Sequence, residues 1–415
     1  MSADQTVQGT KDDLQWLRSP RTIREQSQRI YDAALRGQTH FSVNLEKLPE
    51  VASLVLDVTR SNYPDLNIPF HARWRHFQAG GVNRIREWES RIQHLDADEQ
   101  IRIAFDLVVT SVLLDAGAGA DWKYIDPRDG QPYSRSEGLA IASFDAFLAG
   151  TFSSDPQKHP LRADAIGLMN LRDEALAHAF QVGPKNPLIG VPGRSELLRS
   201  LGKAIQLLPL TPDGTHRVGS LWDELKPQAK NQNLNANTLL QSVLTHFSSI
   251  WPGRTELAGQ NAGDAWFHPL LGESSSPRSL IPFHKLSQWL TYSLMEPLQN
   301  AGIQISAIDE MTGLPEYRNG GLLLDSGLIS LRDPLWAQQE HRVDSPLVIE
   351  WRALTVCLLD QIGEQICRIL GRNREELPLV KVLEGGTWWA GRKLASQARP
   401  GGTPPLKLIL DGTVF

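Results

Sequence analysis

The chain has 415 residues, 41% of them hydrophobic, enough to bury a large core in two or three domains or in one helical body with lobes. Its formal charge of −5 and pI near 6.1 argue against a dedicated nucleic-acid binder, which would carry a basic surplus. The polar N-terminus MSADQTVQGTKDD lacks a signal-peptide core, and no apolar run reaches the roughly eighteen residues of a membrane span, so a cytoplasmic protein without membrane partners is expected.

In chain order, SPRTIREQSQRIYDAAL predicts a helix with Ser19 as N-cap and Pro20 just inside. NLEKLPEVASLVLDVTRSN predicts a second. The next segment, IPFHARWRHFQAGGVNRIREWESR, carries Arg73, Arg75, Arg84, Arg86 and Arg91 against Glu87 and Glu89, with Trp74, Phe77 and Trp88 interleaved. Guanidinium groups among aromatic faces suit a small ligand bearing phosphate or carboxylate. The same pattern describes a solvated arginine-rich face with aromatics packed inward, and the local residues favour that reading.

DEQIRIAFDLVVTSVLLDAG reads as a helix, and DWKYID as a strand with Trp122 and Tyr124 alternating before a Pro-Arg-Asp-Gly turn. In YSRSEGLAIASFDAFLAG, Ser136 is placed as a cap with Glu137 in the first turn, ordinary helix-start chemistry. That helix start could also receive an anion, which leaves Arg135 and Glu137 open as ligand residues. RSELLRSLGKAI and LNANTLLQSVLTHF predict further helices.

Within AGDAWFHPL, Asp264 and His268 are the polar residues of interest. SLIPFHKLSQWLTYSLMEPL predicts a helix from near Phe283 that buries Leu286, Trp289, Leu290 and Leu294 and sets Lys285, Gln288 and Tyr292 on another face. That face suits a cleft or water equally. In TGLPEYRNGG, Glu316 stands between a proline and Tyr317-Arg318, ahead of glycines that free the backbone. A helix-start acid and a catalytic carboxylate are both compatible with that position.

WRALTVCLLDQIGEQICRIL is helical in period and holds both cysteines, Cys357 and Cys367. Ten residues of helix rise about 15 Å, too far for a disulfide, so both thiols are expected as buried packing residues. LKLILD predicts a strand near the C-terminus. The histidine spacings fit no zinc site, and no GxSxG, Walker or GxGxxG motif occurs. No metal or cofactor is called for. The fold class expected is mainly α with minor β-strands.

Taken together, NIPFHARWRHF, DAGAGADWKY, YSRSEGLA, GLPEYRNGGLLLDSGLI and DGTVF resemble the uracil-catabolism proteins of fungi and bacteria, over essentially the whole chain. That family belongs to the route that opens the uracil ring and ends in urea. The order of YSRSEGLAIASFDAFLAG, NPLIGVPGRSELLRSLGKAI, FHKLSQWL, LPEYRNGG, IEWRALTVCLL and GTWWAGRKLA is also similar to that of the queuosine-salvage nucleoside glycosylases. This second resemblance implies a helical body related to DNA glycosylases, with lobes near 1–180 and 181–415 and the site in the cleft between them.

By the same resemblance the active-site lysine falls on Lys285 and the essential aspartate on Glu316. The aspartate has become glutamate, and an aromatic Tyr-Trp pair has become Ser136-Glu137, which suits a smaller and more polar leaving group than queuine. The implied activity is hydrolysis of ribosylurea or its 5′-phosphate to urea and the sugar. Glu316 would stabilise the oxocarbenium-like transition state, and Lys285 would hold a hydroxyl or phosphate and keep Glu316 ionised. Arg73, Arg75 and Arg84 are candidates for the phosphate, and Glu137, Asp264 and His268 for the leaving-group acid. Trp122, Tyr124, Arg135, Gln288, Tyr317 and Arg318 complete the expected substrate-binding set. Two alternatives stay open, an amidohydrolase acting on the ureido group and a non-catalytic ligand- or nucleic-acid-binding scaffold. The expected partner is a small-molecule substrate; a homo-oligomer is compatible with the sequence.

Overall fold

The predicted helices form where their end residues place them. In the computed structural model, which describes residues 6–115, 117–119, 121–251 and 255–409, Pro20–Leu35 is a helix whose N-cap Ser19 accepts the Arg21 amide. Proline at its first position loses nothing, because that amide has no intrahelical acceptor. Helices also span Leu48–Asn62, Ala97–Leu113, Arg135–Leu148, Val191–Ala204, Ala236–Phe247, Lys285–Asn300 and Pro346–Leu370. The chain is mainly α-helical, and its strands among the described residues are only two or three residues long. No helix among the described residues is long and apolar enough to cross a membrane.

The chain divides into two compact units that interleave along the sequence. One comprises Met1–His71, Gly253–Gln288 and Ala307–Phe415, the other Ala72–Pro252 and Trp289–Ser306.

The first unit is organised by the 25-residue Pro346–Leu370 helix, about 37 Å long. Ser345 caps its start, and Gly371, with φ of 64°, ends it in the left-handed conformation glycine tolerates best. Its apolar face packs on the Pro20–Leu35 helix. Ile23, Ile30, Ile281, Phe283, Ile349 and Val356 form part of one buried cluster there. Short strands clip distant segments together: Phe41–Val43 pairs antiparallel with Ile329–Leu331, and Glu340–Arg342 pairs parallel with Lys407–Ile409. The latter is the strand expected within LKLILD. Asp411–Phe415, which carries part of the family resemblance, and the first five residues of the polar N-terminus lie outside the described residues.

In the second unit the Ala97–Leu113 helix is buried over most of its length, and the Arg135–Leu148 helix packs against it. The expected DWKYID strand is Tyr124–Ile125, paired antiparallel with Pro132–Tyr133 across the turn. The helix after it begins earlier than the capping pattern suggests. Ser134, not Ser136, is the N-cap, and its side chain makes no cap bond.

The arginine-rich segment departs most from its local reading as a solvated face. Arg73 and Arg84 are fully buried. Arg73 donates from Nε to Ser111 Oγ at 2.7 Å and from Nη1 to Asp115 at 2.7 Å. Arg84 donates to Asp126 at 2.9 Å and to the carbonyls of Phe77 and Ala79 at 3.0 and 2.8 Å. Burying a guanidinium is costly unless most of its donors are matched in this way.

Cys357 and Cys367 are free and buried, as the helical spacing requires. Burial pushes both thiols above their ordinary range.

Candidate active site

Glu316 is the N-cap of the Tyr317–Asp325 helix. Its Oε2 accepts the Arg318 amide at 2.7 Å and its Oε1 the Asn319 amide at 2.7 Å. It is also buried, only 7% exposed. The helix-start and catalytic readings therefore coincide in one side chain. A carboxylate offers about four acceptor positions, so two first-turn amides leave half of them for a ligand. Burial raises the Glu316 pKa above its ordinary value, opposed by the charge of Lys285, the two amides and the charge of His71. Lys285 and His71 both lie in the unit that holds Glu316.

The loop before Glu316 is fixed at each polar step. The Thr312 amide donates to Gln288 Oε1 at 3.0 Å, and Gln288 Nε2 donates to the Phe283 carbonyl at 3.0 Å. Asn319 Nδ2 holds the Leu314 carbonyl at 3.0 Å, and Arg352 Nε reaches the Pro315 carbonyl at 3.3 Å. Gly320 acts through close approach, and neither it nor Gly321 takes a positive φ. A Cβ at Gly320 would lie 2.7 Å from the Trp351 indole, whose Nε1 donates to the Gly320 carbonyl at 3.0 Å.

Asp264 is the second anchored carboxylate. Arg352 grips it with two bonds of 2.7 Å, Trp266 Nε1 donates at 2.6 Å, and the Lys285 amide donates at 3.0 Å. Burial alone would raise its pKa, but the Arg352 guanidinium and these donors hold it well below the usual carboxylate range. An acid that weak in proton affinity holds no proton near neutral pH. Asp264 is therefore unsuited to protonate a leaving group and instead fixes the backbone at Lys285.

The remaining first-unit candidates have distinct places. Gln288 is fully buried on Thr312, a positioning contact. His268 is buried, with Nδ1 accepting the Leu270 amide at 3.3 Å and Nε2 3.3 Å from Glu350. Arg318 stacks over Tyr317 at 4.9 Å and donates to the Gly402 carbonyl at 2.8 Å.

The second-unit candidates are largely engaged internally. Trp122 Nε1 donates to the Phe180 carbonyl at 3.0 Å, and Tyr124 donates to Asp145 at 2.8 Å. Arg75 pairs with Glu296 at 2.6 Å. Arg84 spends its donors on Asp126 and on carbonyls. Arg73 differs in that its buried Nη2 has no hydrogen-bond partner; burial lowers its pKa, opposed by Asp115 and by the charge of Glu137. Arg135 is exposed and takes a positive φ of 54°. No cluster suited to a metal ion occurs among the described residues.

Sequence reasoning missed a further constellation in the first unit. His71 Nδ1 lies 2.8 Å from Glu384 Oε2, and Tyr63 donates to Glu384 Oε1 at 2.9 Å. Glu384 sits in a π-helical turn, Leu383–Thr387, between the helices Leu379–Val382 and Trp388–Ala398. Such turns recur at functional sites. Here Gly386 makes it possible, since a Cβ there would meet the Val55 carbonyl at 2.4 Å. His71 lies in a segment quoted for the family resemblance, but its partner is 313 positions away.

Comparison with known proteins gives the family. A family model described as "Protein of unknown function (DUF1688)" matches residues 16–415. The chain belongs to this family. It is 38% identical over 411 residues to "Protein urg3" of Schizosaccharomyces pombe, covering 96% of this chain and 98% of that protein. It is 34% identical over 440 residues to "Uracil catabolism protein 4" of Lachancea kluyveri, covering 97% and 99% respectively. For this DUF1688 chain the family match spans both units, and with them Glu316, Lys285, His71 and Glu384.

Proposed function

We propose that this protein acts in uracil breakdown as an N-ribosyl hydrolase that cleaves ribosylurea, or its 5′-phosphate, into urea and the sugar. The observation that carries the reading is Glu316, a buried carboxylate aligned by its own helix N-terminus and acted on by the charges of Lys285 and His71. Breaking a C1′–N bond builds positive charge on the sugar. A pre-oriented carboxylate stabilises that charge and receives the proton of attacking water. Lys285 favours the ionised form that this role needs. The name of the Lachancea kluyveri relative supports a uracil-derived substrate, and the glycosylase-like order of motifs supports the bond that is cut.

The test incubates the full chain with ribosylurea and, separately, with its 5′-phosphate, and measures urea and free sugar. Glu316→Gln is expected to lower urea release by about 100-fold or more, the usual cost of losing one electrostatic stabiliser. Undiminished release would remove Glu316 from the mechanism. Ammonia and carbon dioxide in place of urea would mark an amidohydrolase and overturn the ribosidase reading. Comparing the two substrates reads whether a phosphate is recognised.

A further inference from the structure

Hydrolysis of a ribosylurea needs a second group besides the carboxylate. When the C1′–N bond breaks, both electrons stay on nitrogen, and a urea anion is too basic to leave unassisted. Asp264 holds no proton to give, because Arg352 and the surrounding donors keep it ionised. Glu316 is committed to the electron-poor side of the bond. The unit that holds Glu316 offers a further candidate.

We propose that His71 is that donor, with Glu384 and Tyr63 holding its ring, an inference that rests on the ribosidase reading. With Glu384 ionised, its Oε2 at 2.8 Å requires the hydrogen on His71 Nδ1, which leaves Nε2 as the working nitrogen. Nε2 has no hydrogen-bond partner among the described residues. Glu384 is fixed in turn by the Tyr63 hydroxyl at 2.9 Å, and the His71 amide donates to the Val380 carbonyl at 3.2 Å. Histidine, carboxylate and phenol form a largely buried chain that leaves Nε2 open; the His71 and Glu384 side chains are 12% and 7% exposed.

The fold brings the element behind this chain close to Glu316, whose carboxyl feels the charge of His71. The π-helical turn leads into the Trp388–Ala398 helix, which packs on the Tyr317–Asp325 helix. The approach is so close that a Cβ at Gly391 would lie 2.1 Å from the Arg318 carbonyl. Arg318 is two residues from Glu316 and supplies one of its capping amides. The helix that continues from the histidine's support thus packs with its backbone close against the helix capped by Glu316.

The C1′–N pair moves to the urea nitrogen, which takes the Nε2 proton of His71. Water oxygen bonds to C1′ and gives its proton to Glu316. Return of that proton to imidazole through solvent restores both groups, with one water consumed and urea and ribose released.

The experiment uses the full chain and two substrates, ribosylurea and 4-nitrophenyl β-D-ribofuranoside, whose nitrophenolate leaves without protonation. The quantity read is the ratio of kcat/KM for ribosylurea to that for the nitrophenyl riboside, which is independent of the folded fraction. General-acid assistance is typically worth about 10²–10⁴-fold, so His71→Gln should lower the ratio by about 100-fold or more. Glu384→Gln should lower it less, and Glu316→Gln should slow both substrates alike. An unchanged ratio in His71→Gln overturns the assignment and leaves a structural histidine. A wild type inactive on both ribosides overturns the ribosidase reading and this inference with it. Should ribosylurea alone be turned over, His71→Gln must lower kcat by about the same factor with an unaltered melting temperature, and an unaltered kcat overturns the proposal.

Discussion

Replacing Arg352 with methionine isolates what holds the floor of the candidate site. The substitution keeps most of the apolar stem but removes two 2.7 Å bonds to Asp264 and the 3.3 Å bond to the Pro315 carbonyl. It also removes the guanidinium stacked 4.2 Å from the Phe283 ring centroid. Charge-assisted bonds contribute about 1.5–3 kcal/mol each, and breaking a buried pair typically costs about 3–5 kcal/mol because one charge is stranded. Asp264 retains 18% exposure against 1% for Arg352, so the lower half of that range, about 3–4 kcal/mol, is expected at neutral pH.

The pH dependence carries the sign. In the wild type the folded carboxyl of Asp264 is depressed, so its contribution is present above the unfolded value near 3.9 and is lost as pH falls through the lower folded value. In Arg352→Met burial remains without its partner, the folded pKa rises, and protonation relieves the stranded charge. The deficit should therefore narrow as pH falls below about 5. Urea unfolding followed by circular dichroism measures the midpoint, and hydrogen exchange of the Thr312–Gly321 peptide gives the local readout. Adding Asp264→Asn should recover part of the loss. A midpoint equal to wild type, or a deficit constant with pH, would refute the reasoning.

Gly320→Ala brings a Cβ to 2.7, 2.8 and 2.9 Å from three indole atoms of Trp351; an overpacking cost of about 1–3 kcal/mol is expected in denaturant titration. Gln288→Leu strands the buried Thr312 amide, which should cost about 1–3 kcal/mol and speed exchange of that amide. If Glu316 acts ionised, kcat/KM falls as pH drops through its raised pKa, so the acid limb of the pH–rate profile should lie above the ordinary glutamate value near 4.3; a limb at or below that value counts against the role. Cys357 and Cys367, buried with thiols pushed up, should react with a thiol reagent only after denaturant is added.

What the sequence made legible was local. Ser19 before Pro20 announces a helix start, and the alternation of Trp122 and Tyr124 before a turn announces a strand, because caps and turns depend on neighbours a few residues apart. The separation of Cys357 from Cys367 correctly excludes a disulfide. Burial of Arg73 and Arg84 was hidden because their partners, Asp115 and Asp126, each stand 42 positions away. The glycines after Asn319 signalled backbone freedom, whereas Gly320 is needed for the face of Trp351. Glu316 was locally ambiguous because capping and electrostatic roles call for the same carboxylate at a helix start. His71 and Glu384 were beyond reach, since nothing near either residue announces the other.

The interleaving of the two units has a consequence for synthesis. A chain emerging from the ribosome completes Ala72–Pro252 early, while Met1–His71 waits for Ala307–Phe415. Phe41–Val43 cannot find Ile329–Leu331 until almost 290 residues later, and the Pro20–Leu35 helix must await Pro346–Leu370. Such delayed partners leave apolar faces uncovered during elongation and favour slow maturation. A nascent chain halted near residue 300 holds most of the second unit and none of Glu316, Arg352 or Glu384, so the catalytic apparatus proposed above is assembled only as translation closes.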